Sequence, residues 1–244
     1  MDYDIIYNED CLAGMKRIPD GSVDCIVTDP PYELENQGGG FWSKNEDPAL
    51  NAYNARGTRK GMDRLGDIKD GITDEVLDEM CRVMKKINIY IFCSQKQIQQ
   101  YLDYFVTRRG CNWNLLSWHK TNPIPACGNK YLNDTEYILF FREKGVKIFG
   151  SYDTKRTYYV TLRNQEDNVR YHHPTVKPLQ IIRNFVLNST IVGGVILDPF
   201  IGTGTTAVAC IKEGRRYIGF ETNAGYFATA QQRIKEVKSQ PTLF

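Results

Sequence analysis

Val23-Asp24-Cys25-Ile26-Val27-Thr28-Asp29-Pro30-Pro31-Tyr32 decides the reading of this chain. Residues 23–27 form a short, β-branched apolar run between Asp20-Gly21 and two prolines, the pattern of a buried strand. The quartet 29–32 therefore sits at the carboxyl end of a strand, where open α/β sheets bind ligands. Neither proline has an N–H, so this backbone offers carbonyl acceptors and almost no donors, beside the Asp29 carboxylate. Acceptors on a stiff backbone suit a substrate group that brings two N–H donors, such as the exocyclic amine of adenine or cytosine. The Tyr32 ring can hold such a base by stacking. Asp-Pro-Pro is also an ordinary strand-to-turn signal, and the quartet alone does not separate the two readings.

A second strand and turn lies near the other end. Val195-Ile196-Leu197-Asp198-Pro199-Phe200-Ile201-Gly202-Thr203-Gly204-Thr205-Thr206 runs on into Ala207-Val208-Ala209-Cys210. It reads as a buried strand, a glycine turn and a helix start, which lets a cofactor approach the backbone at a helix N-terminus. Residues 202–207 fit the dinucleotide fingerprint loosely. Asp198, however, would repel a pyrophosphate. Roughly 20 residues on, Tyr217-Ile218-Gly219-Phe220 is another short strand, and the Glu221 carboxylate that follows can accept both hydroxyls of a ribose.

Taken together, the quartet and the glycine loop resemble the motifs of the amino DNA methyltransferases, which methylate adenine N6 or cytosine N4 using S-adenosylmethionine. Two further segments extend the resemblance. His173-Pro174-Thr175-Val176-Lys177-Pro178 is similar to the segment that in these enzymes opens the helix before the cofactor strand and contacts the methionine carboxylate. Ile5-Ile6-Tyr7 is a short strand ending at Asn8-Glu9-Asp10-Cys11, where Asp10 matches the family's acid that hydrogen-bonds the cofactor adenine. Quartet first and glycine loop last is the order of the β class, and the similar segments span almost the whole chain.

The resemblance implies a Rossmann-like methyltransferase fold and S-adenosyl-L-methionine as cofactor. Asp10 and Cys11 would lie by its adenine, Glu221 by its ribose, Asp198 by its ammonium and Phe200 against it as an apolar wall. Gly202, Gly204, Thr205 and Thr206 would form the turn, Thr175 and Lys177 would meet the methionine end, and Asp29 would face both ligands. Asp29, Pro30, Pro31 and Tyr32 are the expected catalytic residues.

Composition is compatible with this and excludes other classes. A chain of 244 residues can form one α/β domain. Its formal net charge is only +2, so a nucleic-acid surface must be local. The seven cysteines are scattered without paired zinc-ligand spacing, and adjacent His172 and His173 read as polar loop residues, so no metal is expected. The first residues are neither a secretory signal nor a membrane span, which makes a cytoplasmic protein of bacterial or phage origin the expectation.

Along the chain, helix is expected over 73–86 with Thr73 as N-cap, over 95–107, over 179–188 and over 225–238. Strands are expected over 87–93 and near 115–118, with 136–141 as hairpin partner of the latter. The fold class that follows is α/β, a doubly wound, mostly parallel sheet with an antiparallel hairpin at one edge. Both motifs then fall on neighbouring strands.

Two stretches stand outside this core. Residues 33–66 hold Gly38, Gly39 and Gly40, aromatic Phe41, Trp42 and Tyr53, and basic Arg56, Arg59, Lys60 and Arg64, and read as a mobile flap over DNA. Residues 145–171 alternate Lys147, Lys155, Arg156, Arg163 and Arg170 with aromatic residues, and by position match the family's target-recognition region; an exposed β edge with charged guard residues is the competing reading. Trp118-His119-Lys120-Thr121-Asn122-Pro123-Ile124-Pro125 resembles a motif beside the flipped base in adenine methyltransferases, which makes Trp118, Lys120 and Asn122 candidates for DNA contact, with Trp118 equally a core residue. With Lys155, Arg156 and Arg163 they form the expected DNA-binding set.

The expected activity is N6-adenine methylation in a short sequence of double-stranded DNA with base flipping. Asp at position 29 favours adenine, because the cytosine enzymes of the family more often carry Ser there. N4-cytosine methylation and an inactive DNA-binding relative are the alternatives. Pairing into a homodimer and a cognate restriction endonuclease are compatible with the resemblance.

Overall fold

In the computed structural model the described residues, 2–31, 72–123, 131–171 and 176–239, build one eight-stranded sheet covered on both faces. In chain order the elements begin with β1 (Ile5–Tyr7), α1 (Cys11–Met15), β2 (Cys25–Thr28), α2 (Asp74–Val83) and β3 (Asn88–Cys93). Next come α3 (Gln97–Tyr101), a π-helical turn (Leu102–Thr107), β4 (Asn112–Lys120), β5 (Thr135–Arg142), β6 (Tyr158–Thr161) and α4 (Gln165–Arg170). The last are α5 (Leu179–Ser189), β7 (Val195–Asp198), α6 (Thr205–Lys212), β8 (Arg216–Phe220) and α7 (Ala224–Ser239).

The strand order is β1-β8-β7-β2-β3-β5-β4-β6. The first four neighbouring pairs are parallel, β5 is antiparallel to both β3 and β4, and β6 returns parallel to β4. Because side chains alternate across a strand, the central strands feed two separate cores. On one face Ile26, Ile89, Leu197 and Phe220 pack against Met15, Leu77, Met80 and Phe105. On the other, Val27, Tyr90, Phe92 and Ile196 pack against Ile181, Phe185, Ala207 and Ala230. Strands wetted on neither side are why the sequence shows continuous apolar runs rather than alternation.

The local signals act as expected at most boundaries. Thr73 caps α2, accepting from the Val76 N–H at 3.5 Å, with Asp74 and Glu75 in the first turn. That helix ends at Val83, short of residue 86, because Met84 turns extended and bridges Val23. The helix expected over 95–107 is α3 followed by the wider π turn.

The hairpin β4–β5 is real, but it lies one strand in from the edge. β6 occupies the edge, and with α4 it falls inside the stretch 145–171. The four residues of β6 alternate between exposed and half-buried, so no apolar run announces them. The expected flap, 33–66, lies outside the described residues. No described helix is long and apolar enough to cross a membrane.

Candidate active site

Four parallel neighbours, β1, β8, β7 and β2, end on one rim, and each delivers a carboxylate there. Across the sheet they follow as Asp10, Glu221, Asp198 and Asp29, although in sequence the order is different. Asn8 ties the first two strands together, its Nδ2 donating to the Glu221 carbonyl at 2.6 Å. Asp10 caps α1, accepting from the Ala13 N–H at 3.0 Å. Cys11 beside it is buried, and its thiol is pushed up to about 12, first by burial and then by the Asp10 charge, so it packs rather than reacts. Glu221 accepts from the Asn223 N–H at 2.7 Å, and burial raises its carboxyl above the usual range.

Asp198 joins the two motifs. Its Oδ1 accepts from Thr28 Oγ1 at 2.9 Å and from the Phe200 N–H at 3.1 Å, while Oδ2 accepts from Thr206 Oγ1 at 2.6 Å. Thr28 immediately precedes Asp29, so one carboxylate fixes the glycine loop against the catalytic strand. Burial pushes this carboxyl up to about 7 despite those donors. Phe200 is half-buried at the same turn.

Gly202 and Gly204 both have positive φ, 52° and 85°. A Cβ on Gly204 would stand 3.0 Å from Ala230 Cβ of α7. Gly204→Ala should therefore lose about 1–2 kcal/mol from the left-handed backbone alone. At roughly 2–4 °C per kcal/mol, this lowers Tm by several degrees in thermal unfolding. An unchanged Tm would show that the turn tolerates a side chain.

Arg233 of α7 is a site residue the sequence reading missed. Almost fully buried, it donates to the Thr203 carbonyl at 2.8 Å, Thr203 Oγ1 at 3.0 Å and Thr205 Oγ1 at 3.2 Å, and its guanidinium lies 4.1 Å from the Tyr171 ring centroid. It braces the glycine loop from behind. An arginine on the buried face of α7, flanked by Ala230 and Ile234, was the available signal. Gln97 is a second such residue: its Nε2 donates to the Pro31 carbonyl at 3.4 Å while its Oε1 accepts from the Ser94 N–H at 3.0 Å. It holds the proline pair from below. Pro30 is buried and Pro31 half-buried, whereas Tyr32 and Thr175 lie outside the described residues.

Lys177, the residue expected at the methionine carboxylate, has its buried ammonium 2.5 Å from Asp29 Oδ2 and 3.2 Å from Glu136 Oε2. Burial opposes this charge, but Asp29 and Glu136 together hold the ammonium up to about 12. Glu136 in turn meets Lys120 at 2.8 Å.

The expected DNA-binding residues divide into two groups. Trp118 is 3 % exposed, packs in the core on the side of α5 and donates from Nε1 to Thr161 Oγ1 at 2.8 Å. Lys120, Asn122 and Arg163 gather at the carboxyl ends of β4 and β6, on the active rim, where the Arg163 Nε donates to the Asn122 carbonyl at 2.7 Å. Lys155 and Arg156 are exposed and precede β6, at its other end, and Arg156 pairs with Asp153 at 3.2 Å. No group of described histidine, cysteine or acidic residues could hold a metal ion.

An acidic half-rim over a glycine loop, beside a proline-stiffened acceptor and a basic half-rim, on a doubly wound sheet, defines a Rossmann-like methyltransferase. The profile of the DNA methylase family, the N6 and N4 amino methyltransferases, matches residues 23–232, and the chain belongs to that family. It is 27% identical over 262 residues to the type II methyltransferase M.HinfI of Haemophilus influenzae, covering 97% of this chain and 69% of that protein. To M2.MboI of Moraxella bovis it is 26% identical, covering 95% and 88% of the two chains. Among solved structures, the M1.HpyAVI–SAM complex superposes with a TM-score of 0.64 at 24% identity, over 93% of this chain and 98% of that one. The cytosine-N4-specific PvuII DNA methyltransferase superposes at 0.65 with 14% identity, over 98% and 87%.

Proposed function

We propose that this chain transfers a methyl group from S-adenosyl-L-methionine to N6 of an adenine flipped out of double-stranded DNA. The observation that carries the reading is Asp29 at the end of β2, fixed through Thr28 to the Asp198 loop on one side and by Lys177 on the other. The donor set suits that cofactor. Asp198 and Glu221 offer carboxylates to an ammonium and to vicinal hydroxyls, and among the described residues the hydrogen-bond partners of the buried Asp198 include no lysine or arginine. When bound, S-adenosyl-L-methionine supplies an electrophilic methyl on a positively charged sulfur.

The chain's own residues then act on the amine. Its lone pair is delocalised into the base, which makes it a poor nucleophile. Asp29 accepts one amino hydrogen and the Pro30 carbonyl the other, drawing the nitrogen toward tetrahedral geometry and stabilising the positive charge that grows as the N–C bond forms. The nitrogen would shed its proton only after methylation, to Asp29 or to water, so no strong base is needed. Orientation of the two reactants supplies much of the remaining acceleration. A base inside a duplex cannot reach such a rim, and flipping brings it there.

Residues 145–171 and the Lys120–Asn122–Arg163 cluster are the proposed DNA-reading surface, supported by the place of Lys120, Asn122 and Arg163 at the carboxyl ends of β4 and β6 on the rim that holds Asp29. The type II methyltransferase names of the relatives support a cognate restriction endonuclease and a bacterial cytoplasm. The likeness to a cytosine-N4-specific enzyme keeps N4-cytosine as the second reading. Mass spectrometry of nucleosides from DNA incubated with protein and cofactor should find N6-methyladenine. N4-methylcytosine alone would overturn the choice of base, and no transfer to DNA, RNA or protein would mark a DNA-binding relative without turnover.

A further inference from the structure

Asp29, Lys177, Glu136 and Lys120 form an unbroken row of alternating charge along the rim, from the end of β2 to the end of β4. The contacts are 2.5 Å, 3.2 Å and 2.8 Å, and the last three side chains are 7%, 13% and 13% exposed. Glu136 is the residue without a motif. It sits near the start of β5, followed by Tyr137-Ile138-Leu139-Phe140-Phe141, in a strand context that disfavours an acid. Buried ion networks are a poor source of stability, because desolvation cancels most of the attraction and apolar replacements often do as well. A buried acid at the reaction rim therefore calls for a role other than stability.

We propose that Glu136 is a positioning residue for methyl transfer, holding the Lys177 ammonium so that Lys177 fixes Asp29 as an aimed, ionised acceptor for the target amine. The inference rests on the reading of Asp29 given above. Three things support it. The Asp29 and Glu136 carboxylates bracket Lys177, at 2.5 Å and 3.2 Å. The ring of Phe92, 5.1 Å from the ammonium, closes another side with an apolar wall that offers only its π face. Lys120 on the far oxygen of Glu136 anchors the acid, and is itself held 5.4 Å from the Trp118 ring. Without the Glu136 carboxylate the Lys120–Glu136 pair would be lost, and of its two bracketing carboxylates Lys177 would keep Asp29. This would weaken Asp29 as an acceptor and free it to rotate with its partner.

Glu136→Gln keeps the shape and removes the charge. Its kcat on DNA should fall at least about tenfold while the cofactor Kd stays within about twofold, since only a transition-state contact is disturbed. In a Lys177→Met background the same change should cost nothing further, because Glu136 acts through Lys177. Losses that multiply, or a Glu136→Gln kcat within about twofold of the parent, would overturn the proposal. A readout that needs no turnover accompanies these. The 15N-ammonium resonance of Lys177 should be protected from solvent exchange in the parent and exchange faster in Glu136→Gln. If the parent protein methylates no DNA, the functional reading falls, and equal ammonium exchange in the two proteins would overturn the bracketing of Lys177 by itself.

Discussion

Asp29→Ala should lower the rate of methyl transfer by roughly a hundred- to a thousandfold, the usual cost of about 2.7–4 kcal/mol for one positioned transition-state acceptor. The fold should survive. Lys177 keeps Glu136 as a partner at 3.2 Å, so the substitution does not strand a buried ammonium, and the Asp29 side chain is itself 27% exposed at the rim. Both prolines and the Asp198 loop are untouched. Single-turnover rates at saturating cofactor, with cofactor affinity measured separately, isolate the chemical step. A rate near that of the parent would mean that the quartet is only a turn and that the amine is activated elsewhere.

Asp198→Asn is expected to separate stability from function. The carboxyl is fully enclosed and its pKa rises from 3.8 to about 7, chiefly through burial. Between those values the folded chain holds a proton that the unfolded chain has released. Folding stability from this group therefore falls as pH rises through that window, and the loss is complete above about 7. At about 1.4 kcal/mol per pKa unit the penalty reaches a few kcal/mol. Asparagine escapes it, keeps Oδ1 as the acceptor for the Phe200 N–H and the Thr28 hydroxyl, and can donate from Nδ2 to the Thr206 hydroxyl, which rotates to accept. The variant should thus be at least as stable as the parent at pH 8, with a flatter stability profile between pH 4 and 7.

Cofactor binding should move the other way. A charge-assisted hydrogen bond to an ammonium is worth about 1.5–3 kcal/mol, so affinity for S-adenosyl-L-methionine should drop roughly ten- to a hundredfold. In the parent, affinity should also weaken as pH falls below about 7, because the carboxyl must ionise to meet the ammonium. Calorimetry in buffers of different ionisation enthalpy would read the released proton. Unchanged affinity in Asp198→Asn, with the same pH dependence, would remove Asp198 from the cofactor site.

Most of the sheet was legible from local sequence. Apolar runs closed by proline, glycine or acid mark β1, β2, β7 and β8 within a residue or two, and Thr73 marks the start of α2, because strand burial and helix capping depend on residues a few positions apart. The long stretch 145–171 was visible as an interruption, but β6 within it was not, since an edge strand half in solvent needs no apolar run. Trp118 was undecided for a related reason: whether a ring stacks on a base or fills a core depends on what packs over it, and Ile138 and Phe185, far along the chain, belong to that same core.

By itself, then, the sequence determined the buried strands, their turns and the acids at their carboxyl ends. Tertiary structure alone decided that those acids stand in one row, that Asp198 reaches Thr28, and that Lys177 faces Asp29 and Glu136. The physical reason is that a motif records what a residue's neighbours in the chain require of it, whereas an ammonium turns toward the nearest buried carboxylates, and those arrive from β2 and β5 only when the sheet has assembled.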